Sequence, residues 1–373
     1  MQKAIKQKVA HLTSVHVPSD TRIAYRECAS LAEAGYEVVL IAPGAAPPLP
    51  AGVRFRGVPA PRNRAERMTR TIFCVWLAAM RERADIYHFH DPELMGVGLL
   101  LRAAGARVVF DVHEDIPHDI ADKFWIPAPL RPPVAAASAL VLRALQRWYS
   151  AVVAATPAIA RRFRHRHVVV VCNYPRIEEL PPESDREFSQ RARAAVYLGS
   201  ITELRCIDEM LAAVDAPDFA NDMHLVLAGT FETSELERRI KSNRAWNRIE
   251  FRGFCARSEV ARVLGNARAG LLLFRPAANH EEALPTKLFE YLGAGLPVII
   301  SNTLQCSELV REHDCGVVVD PGDVDAIARA MSFLINNPGT ARAMGERGRR
   351  LVMERYQWKS EANKLTKLYA EIA

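Results

Sequence analysis

The chain has 373 residues, 49% of them hydrophobic and 25% charged, with a formal net charge of +6. This is ordinary globular composition, with apolar material for two cores. It excludes three classes: no apolar run approaches the roughly 20 residues of a bilayer-spanning helix, the opening MQKAIKQKVAHLTSVH carries no apolar signal core, and seven scattered cysteines without a C-x-x-C pair read as reduced thiols of a cytoplasmic protein rather than a disulfide framework.

In chain order, KVAHLTSV, YEVVLIAP, DIYHFHD and RVVFDVHED read as buried strands. TRIAYRECASLAEAG, the 63–83 region and PELMGVGLLLRAAG read as helices between them. That is the rhythm of a parallel, doubly wound sheet, continued by SAVVAATP and HVVVVCNYP. Residues 173–193 are polar, charged and proline-rich and read as a linker. A second series follows in AAVYLGS, HLVLAGT, RIEFRGF, AGLLLFRPA, PVIISN and GVVVDPGD, and the chain closes on the amphipathic helix WKSEANKLTKLYAEIA. The expected organisation is a first Rossmann-like domain over 1–172, a linker over 173–193, a second Rossmann-like domain over 194–350, and a segment 351–373 that crosses back to the first. The two α/β domains would face a cleft. Ligands of such sheets sit beyond the carboxyl ends of the strands, so functional residues are sought there.

Charge is uneven. Residues 1–172 hold 23 Lys and Arg against 14 Asp and Glu, whereas the remainder holds 26 against 29. The basic half favours an anionic partner. No finger, RRM-like or helix-turn-helix signature accompanies the charge, so nucleic acid is not expected. Arginines interleave with Phe55, Ile72, Phe73, Val75, Trp76 and Leu77, and DKFWIPAPLRPP and LRALQRWYS add to the mixture. That composition suits a surface resting on anionic headgroups.

Neither half opens with G-x-G-x-x-G, which disfavours a dinucleotide oxidoreductase. There is no Walker A sequence and no H-E-x-x-H. His113 and His118 are spaced wrongly for two ligands on one helix face. Asp323-Val-Asp325 spells D-x-D, but it follows a strand and opens a helix, so it is read as a cap rather than a metal site. The stretch NHEEALPTKLFEYLGAGLPVII (279–300) stands apart. With Pro285 in the first turn of a helix, Glu290 faces inward about a turn later, and Glu282 stays in the loop that feeds it.

E-A-L-P-T-K-L-F-E resembles the E-x7-E element of the family 4, GT-B type, retaining nucleotide-sugar glycosyltransferases. YLGAGLPVIIS resembles the helix and strand that follow it there. HLTSVHVPSDTRIAYRECASLAEAGYEVVLIA is similar to the family's amino-terminal entry in its H-x-x-x-D-x-R variant. YHFHDPEL, FDVHED and YLGSITELRCIDEML extend the likeness over nearly the whole chain. The resemblance implies a GT-B fold and transfer of a sugar, with a UDP-sugar expected as donor, to a hydroxyl of a saccharide or lipid-linked saccharide, with retention and no metal or other cofactor. It implies that Glu290 accepts the ribose hydroxyls, that Glu282 touches the donor sugar, and that His113 contacts that sugar from the first domain.

The departing diphosphate gains negative charge, so the site needs preorganised donors. The helix start at Pro285 and Thr286, running on to Leu288, supplies N–H groups, and Lys287 and Arg205, the latter just after Gly199, supply cations. The nucleotide base is expected near Arg252 to Cys255, with Phe254 among its neighbours. On the acceptor side, His90 and Asp91 end a strand, Asp91 being placed to orient the acceptor hydroxyl or take its proton, and Asp20 and Arg22 are expected to approach acceptor or phosphate. VHVPSD has no glycine where the family has a glycine-rich loop, and Ser200 and Cys206 stand where many members carry Arg and Lys. The setting would be surface-polysaccharide assembly, in the cytoplasm or on the inner face of its membrane. Two alternatives stay open: a catalytically inert subunit that binds nucleotide or glycan, and a nucleotide-sugar epimerase on the same fold.

Overall fold

A computed structural model describes residues 7–122, 126–181, 187–277 and 281–372. The chain divides into two compact units: residues 1–173 together with 358–373, and residues 174–357.

Unit 1 is built on seven parallel strands: β1 (Lys8–Leu12), β2 (Glu37–Pro43), β3 (Val53–Val58), β4 (Ile86–Phe89), β5 (Arg107–Val112), β6 (Ala151–Ala154) and β7 (Val168–Val170), in the order β3-β2-β1-β4-β5-β6-β7. The central strands are apolar throughout because helices cover both faces. One face packs Leu12, Phe89, Phe110 and Tyr149. The other packs Val9, Ile23, Leu40 and Val109 against Trp358, Leu365, Leu368 and Tyr369 of the last helix, Trp358–Ile372. Polar ties fix that helix: the Trp358 indole N–H donates to Ser30 Oγ at 2.8 Å, and a Glu361 oxygen accepts from the Cys172 N–H at 2.8 Å. The returning segment therefore starts at Trp358, not 351, because residues 351–355 continue the unit 2 helix Pro338–Arg355.

Unit 2 carries six parallel strands: β8 (Ala194–Leu198), β9 (His224–Ala228), β10 (Ile249–Gly253), β11 (Ala269–Leu272), β12 (Val298–Ser301) and β13 (Gly316–Val319), in the order β10-β9-β8-β11-β12-β13. The described part of the expected linker packs on this unit. Leu180 and Phe188 are buried, and the Tyr174 ring meets Phe289 edge-on at 4.7 Å. Proline and charge in that stretch hid its apolar anchors.

β3 is the strand that sequence reading placed in the basic patch. Arg54 and Arg56 alternate with apolar residues on a sheet edge, where they pair with Glu37 and Glu82. In both sheets the strand order reverses beside the first strand, at β1/β4 and at β8/β11. Those switch points are where ligands of doubly wound sheets bind.

Candidate functional site

At the switch point of unit 2, β8 ends in Gly199 and β9 in Gly229. A Cβ on Gly229 would collide with the Gly199 carbonyl, and Gly199 itself has a φ of 119°, open to glycine and costly for other residues. The space above the Gly199 Cα is filled by the end of the Lys287 side chain.

Lys287 belongs to the helix Thr286–Gly293, which has Pro285 at its N-cap, no side-chain cap and no acid in its first turn. Its leading N–H groups and positive dipole end are thus left for an anion. Leu288 is fully buried, its N–H bound to the Pro285 carbonyl at 3.0 Å, so its side chain holds the helix on the core rather than meeting a ligand. Lys287 makes no ion pair or hydrogen bond among the described residues. Burial, then the charge of Arg205, pulls its ammonium down to about 8.

Arg205 sits on the turn Glu203–Arg205, which Thr202 caps by accepting the Arg205 N–H at 3.2 Å. Its guanidinium lies over the Phe274 ring, 5.0 Å from the centroid. It also faces the Tyr197 hydroxyl, whose pKa burial pushes up to about 12 against the pull of Arg205. Two cations and an uncapped helix start therefore converge; the Glu290 carboxylate is near enough to act on Lys287, but among the described residues no carboxylate pairs with it. Like charges held this close need a counter-anion, and a diphosphate supplies one.

Glu290, one turn along the helix, is half-buried with no hydrogen bond or ion pair among the described residues. Glu282 is exposed in the loop before Pro285; that loop is tied down where the Gln305 N–H donates to the Glu281 carbonyl at 2.8 Å. Phe254 is 82% exposed just past β10. Sequence reading did not single out Gly229, Phe274 or Tyr291, whose hydroxyl accepts the Leu198 N–H at 2.9 Å and locks the helix to β8. Asp323 caps the helix Val324–Asn336 by accepting the Ala326 N–H at 2.8 Å, as the capping reading of D-x-D expects.

In unit 1, the carboxyl ends of β1, β4 and β5 bring Asp20, His90, Asp91 and His113 together. Asp91 is buried, and one of its oxygens accepts from Thr13 Oγ1 at 2.7 Å and from the Ser14 N–H at 2.6 Å. Its other oxygen lies 3.5 Å from His16 Nε2. Asp20 caps the next helix through the Ile23 N–H at 3.0 Å and stands 3.4 Å from His16 Nδ1. Burial alone would lower the His16 pKa, but the Asp20 contact and the Asp91 charge raise it.

Arg22 is turned inward rather than toward the strand-end opening. It forms a two-pronged pair with Asp111 at 2.9 and 3.1 Å and donates to the Val171 carbonyl at 2.7 Å. Asp111 was not anticipated. Despite its burial, Arg22 and then His113 hold its carboxyl well below the usual carboxylate range. It fixes His113, whose Nε2 lies 3.0 Å from Asp111 and 3.1 Å from His90 Nδ1. His90 is enclosed, and the partly exposed His113 ring is the imidazole of this group that a substrate can reach. All seven cysteines are free.

Two family models match this chain: a glycosyl transferase 4-like domain over residues 21–176 and glycosyl transferases group 1 over residues 183–351. The chain belongs to the family 4 glycosyltransferases. Its two doubly wound units are the GT-B fold of that family. A mannosyltransferase of Mycolicibacterium hassiacum, "MMP alpha-(1->4)-mannosyltransferase", is 23% identical over 84% of this chain and 75% of its own. A GDP-mannose-dependent phosphatidylinositol monomannoside mannosyltransferase of Mycolicibacterium smegmatis is 34% identical over 25% of each chain. The Anabaena protein HepE, solved with UDP and glucose, superposes with a TM-score of 0.71 at 14% identity, over 98% of this glycosyltransferase and 100% of that chain.

Proposed function

We propose that this glycosyltransferase moves a hexosyl group from a UDP-sugar to a hydroxyl of a saccharide or lipid-linked saccharide, with retention at the anomeric carbon. The observation that carries the reading is the partly buried Lys287 ammonium, without an ion pair or hydrogen bond among the described residues, beside Arg205 at an uncapped helix start. The bond from the anomeric carbon to the diphosphate oxygen breaks as the acceptor oxygen bonds to the same face, and the acceptor proton passes to the departing phosphate. Lys287, Arg205 and the N–H groups of Thr286 and Lys287 meet the charge that develops on the leaving group. Removing one such donor costs roughly 10²–10³ in kcat. Glu290 offers a carboxylate to the vicinal ribose diol, and Glu282 reaches the hydroxyls of the donor sugar. His113, held through Nε2, presents its other nitrogen to a substrate hydroxyl. No step calls on a metal.

The donor base is argued from two relatives that differ: HepE was solved with UDP, and the Mycolicibacterium smegmatis relative is GDP-mannose-dependent. A thermal-shift screen of UDP, GDP and ADP tests this. A ligand at 100 times its Kd stabilises by about 2.7 kcal/mol. UDP should raise Tm most, and Glu290→Ala should remove the response; stabilisation by GDP alone overturns the base assignment.

An anionic membrane is the proposed docking surface, centred on the 126–150 part of the basic and aromatic mixture rather than on the 54–83 part. In the 54–83 region, Arg62 and Arg70 pair with Glu66, Arg67 with Glu93, and Arg54 and Arg56 with Glu82. Residues 126–167, in contrast, hold seven arginines and no acid. Their helix, Arg131–Leu145, leaves Val134, Leu140 and Val141 exposed, flanked by exposed Leu130 and Trp148. Trp148 borders a groove of about 1200 Å³ lined by Arg102, Arg107, Arg147, Arg164 and Arg166. Apolar anchors beside clustered cations suit anionic headgroups. Leu140→Glu should abolish co-sedimentation with phosphatidylglycerol vesicles while soluble donor binding persists; retained sedimentation sinks the assignment.

A further inference from the structure

One face of the unit 1 sheet holds a cluster that the transfer reaction does not use. His11 on β1 and His88 on β4 are partners in the parallel register, and His90 follows two residues later on the same face. A π-wound turn, Thr21–Cys28, covers that face and delivers Glu27. Such windings recur at functional sites. The last helix delivers Tyr369, whose hydroxyl lies 2.8 Å from His88 Nδ1.

His11, Glu27 and His88 are wholly inaccessible and His90 is 3% exposed. One donor atom from each of the four lies within 4.8 Å of all the others. His11 Nδ1 is 2.9 Å from His90 Nε2 and 3.9 Å from Glu27 Oε2, and His88 Nδ1 is 4.0 Å from that oxygen. Neither Glu27 oxygen accepts a hydrogen bond among the described residues. Arg22 Nε stands 2.9 Å from Oε1, but its single N–H is spent on Asp111. His11 Nε2 and His88 Nε2 are likewise unsatisfied. With the Arg22 guanidinium committed to Asp111, a carboxyl sealed from water with no hydrogen bond to either oxygen calls for a proton or a further cation.

We propose that His11, Glu27, His88 and His90 bind a first-row divalent transition-metal ion, zinc foremost, as a closed structural site inside unit 1. Three imidazoles and one carboxylate make a borderline donor set that suits zinc and its neighbours and not calcium or magnesium, which take oxygen ligands. The outer partners exist too: His90 Nδ1 lies 3.2 Å from Asp111, itself pinned by Arg22, which is the carboxylate–histidine support that ligating rings use. With no opening to solvent, the ion fastens β1, β4 and the covering turn rather than meeting substrate.

The test is the metal content of tag-free protein expressed with zinc, measured by plasma mass spectrometry after gel filtration. It needs no donor and no activity, so it stands or falls apart from the transferase reading. The expected result is about one zinc per chain and, after refolding with Co²⁺, the visible bands of a tetrahedral site. Glu27→Gln separates the ion from a proton. A protonated Glu27 in a neutral network tolerates the near-isosteric amide, so Tm stays put; a metal site loses the ion and Tm falls. Folded wild-type protein with less than about one-tenth of an equivalent of any transition metal and no cobalt bands overturns the proposal, as does a Glu27→Gln variant with unaltered metal content.

Discussion

The end of the Lys287 side chain occupies the place where a Cβ on Gly199 would stand. A glycine at the tip of β8 thus sets the height at which a cation from a different element is held. Gly199→Ala meets two penalties: a φ of 119° that alanine rarely adopts, and eviction of the amine. We expect UDP affinity to fall by about the 1.5–3 kcal/mol of a lost charge-assisted contact, with a Tm loss of several degrees. Calorimetric titration beside a melting curve distinguishes the two effects. A variant that binds UDP as well as wild type would show that this position does not set the amine.

Burial lowers the Lys287 pKa to about 8 from an ordinary value near 10.5. A bound diphosphate favours the ammonium, so the free protein must take up a proton to bind once the pH exceeds about 8. UDP affinity is therefore expected to hold steady below pH 8 and to fall above it, by up to tenfold per pH unit, until the pKa of the complex is passed. For folding the sign is opposite. Between about 8 and 10.5 the unfolded chain holds the proton and the native chain does not, so this group's contribution to stability rises with pH. Lys287→Arg should flatten the binding profile over the same range. A wild-type profile already flat from pH 7 to 10 would contradict the assignment.

Asp323 accepts the Ala326 N–H at a helix start. Asp323→Ala is expected to cost about 1 kcal/mol of stability and to leave UDP affinity, measured with and without Mn²⁺, unchanged. Denaturant unfolding and titration with and without the metal check both halves. Loss of a Mn²⁺-dependent affinity would restore D-x-D as a metal motif.

Leu365 is fully buried against Val9, Ile23 and Leu40. Leu365→Ala should destabilise unit 1 by about 2–5 kcal/mol, read by denaturant unfolding, whereas Lys359→Ala on the solvent side should change little. Equal effects would mean the last helix does not depend on that packing.

The strand series was legible because buried parallel strands read as apolar runs, and the Glu282–Glu290 element because its spacing, proline and lysine are local. β3 was not, since arginines alternate along an edge strand and read as a basic surface. Residues 173–193 read as a linker because Pro and charge outnumber the apolar side chains that anchor their described part, among them Tyr174, Leu180 and Phe188. Arg22 was placed at the strand end by its position in H-x-x-x-D-x-R, whereas the turn that carries it points its guanidinium at Asp111, 89 residues away. The placement of Lys287 was equally out of reach, because it depends on Gly199, Arg205 and Phe274, which only the fold assembles.

The most direct measurement is calorimetric titration of UDP into wild type, Lys287→Ala and Arg205→Ala at pH 7. A diphosphate held by this cation pair predicts a 10- to 100-fold weaker Kd for each variant, with unchanged circular dichroism. Wild-type affinity in both variants would contradict the placement of the diphosphate at the Thr286–Gly293 helix start.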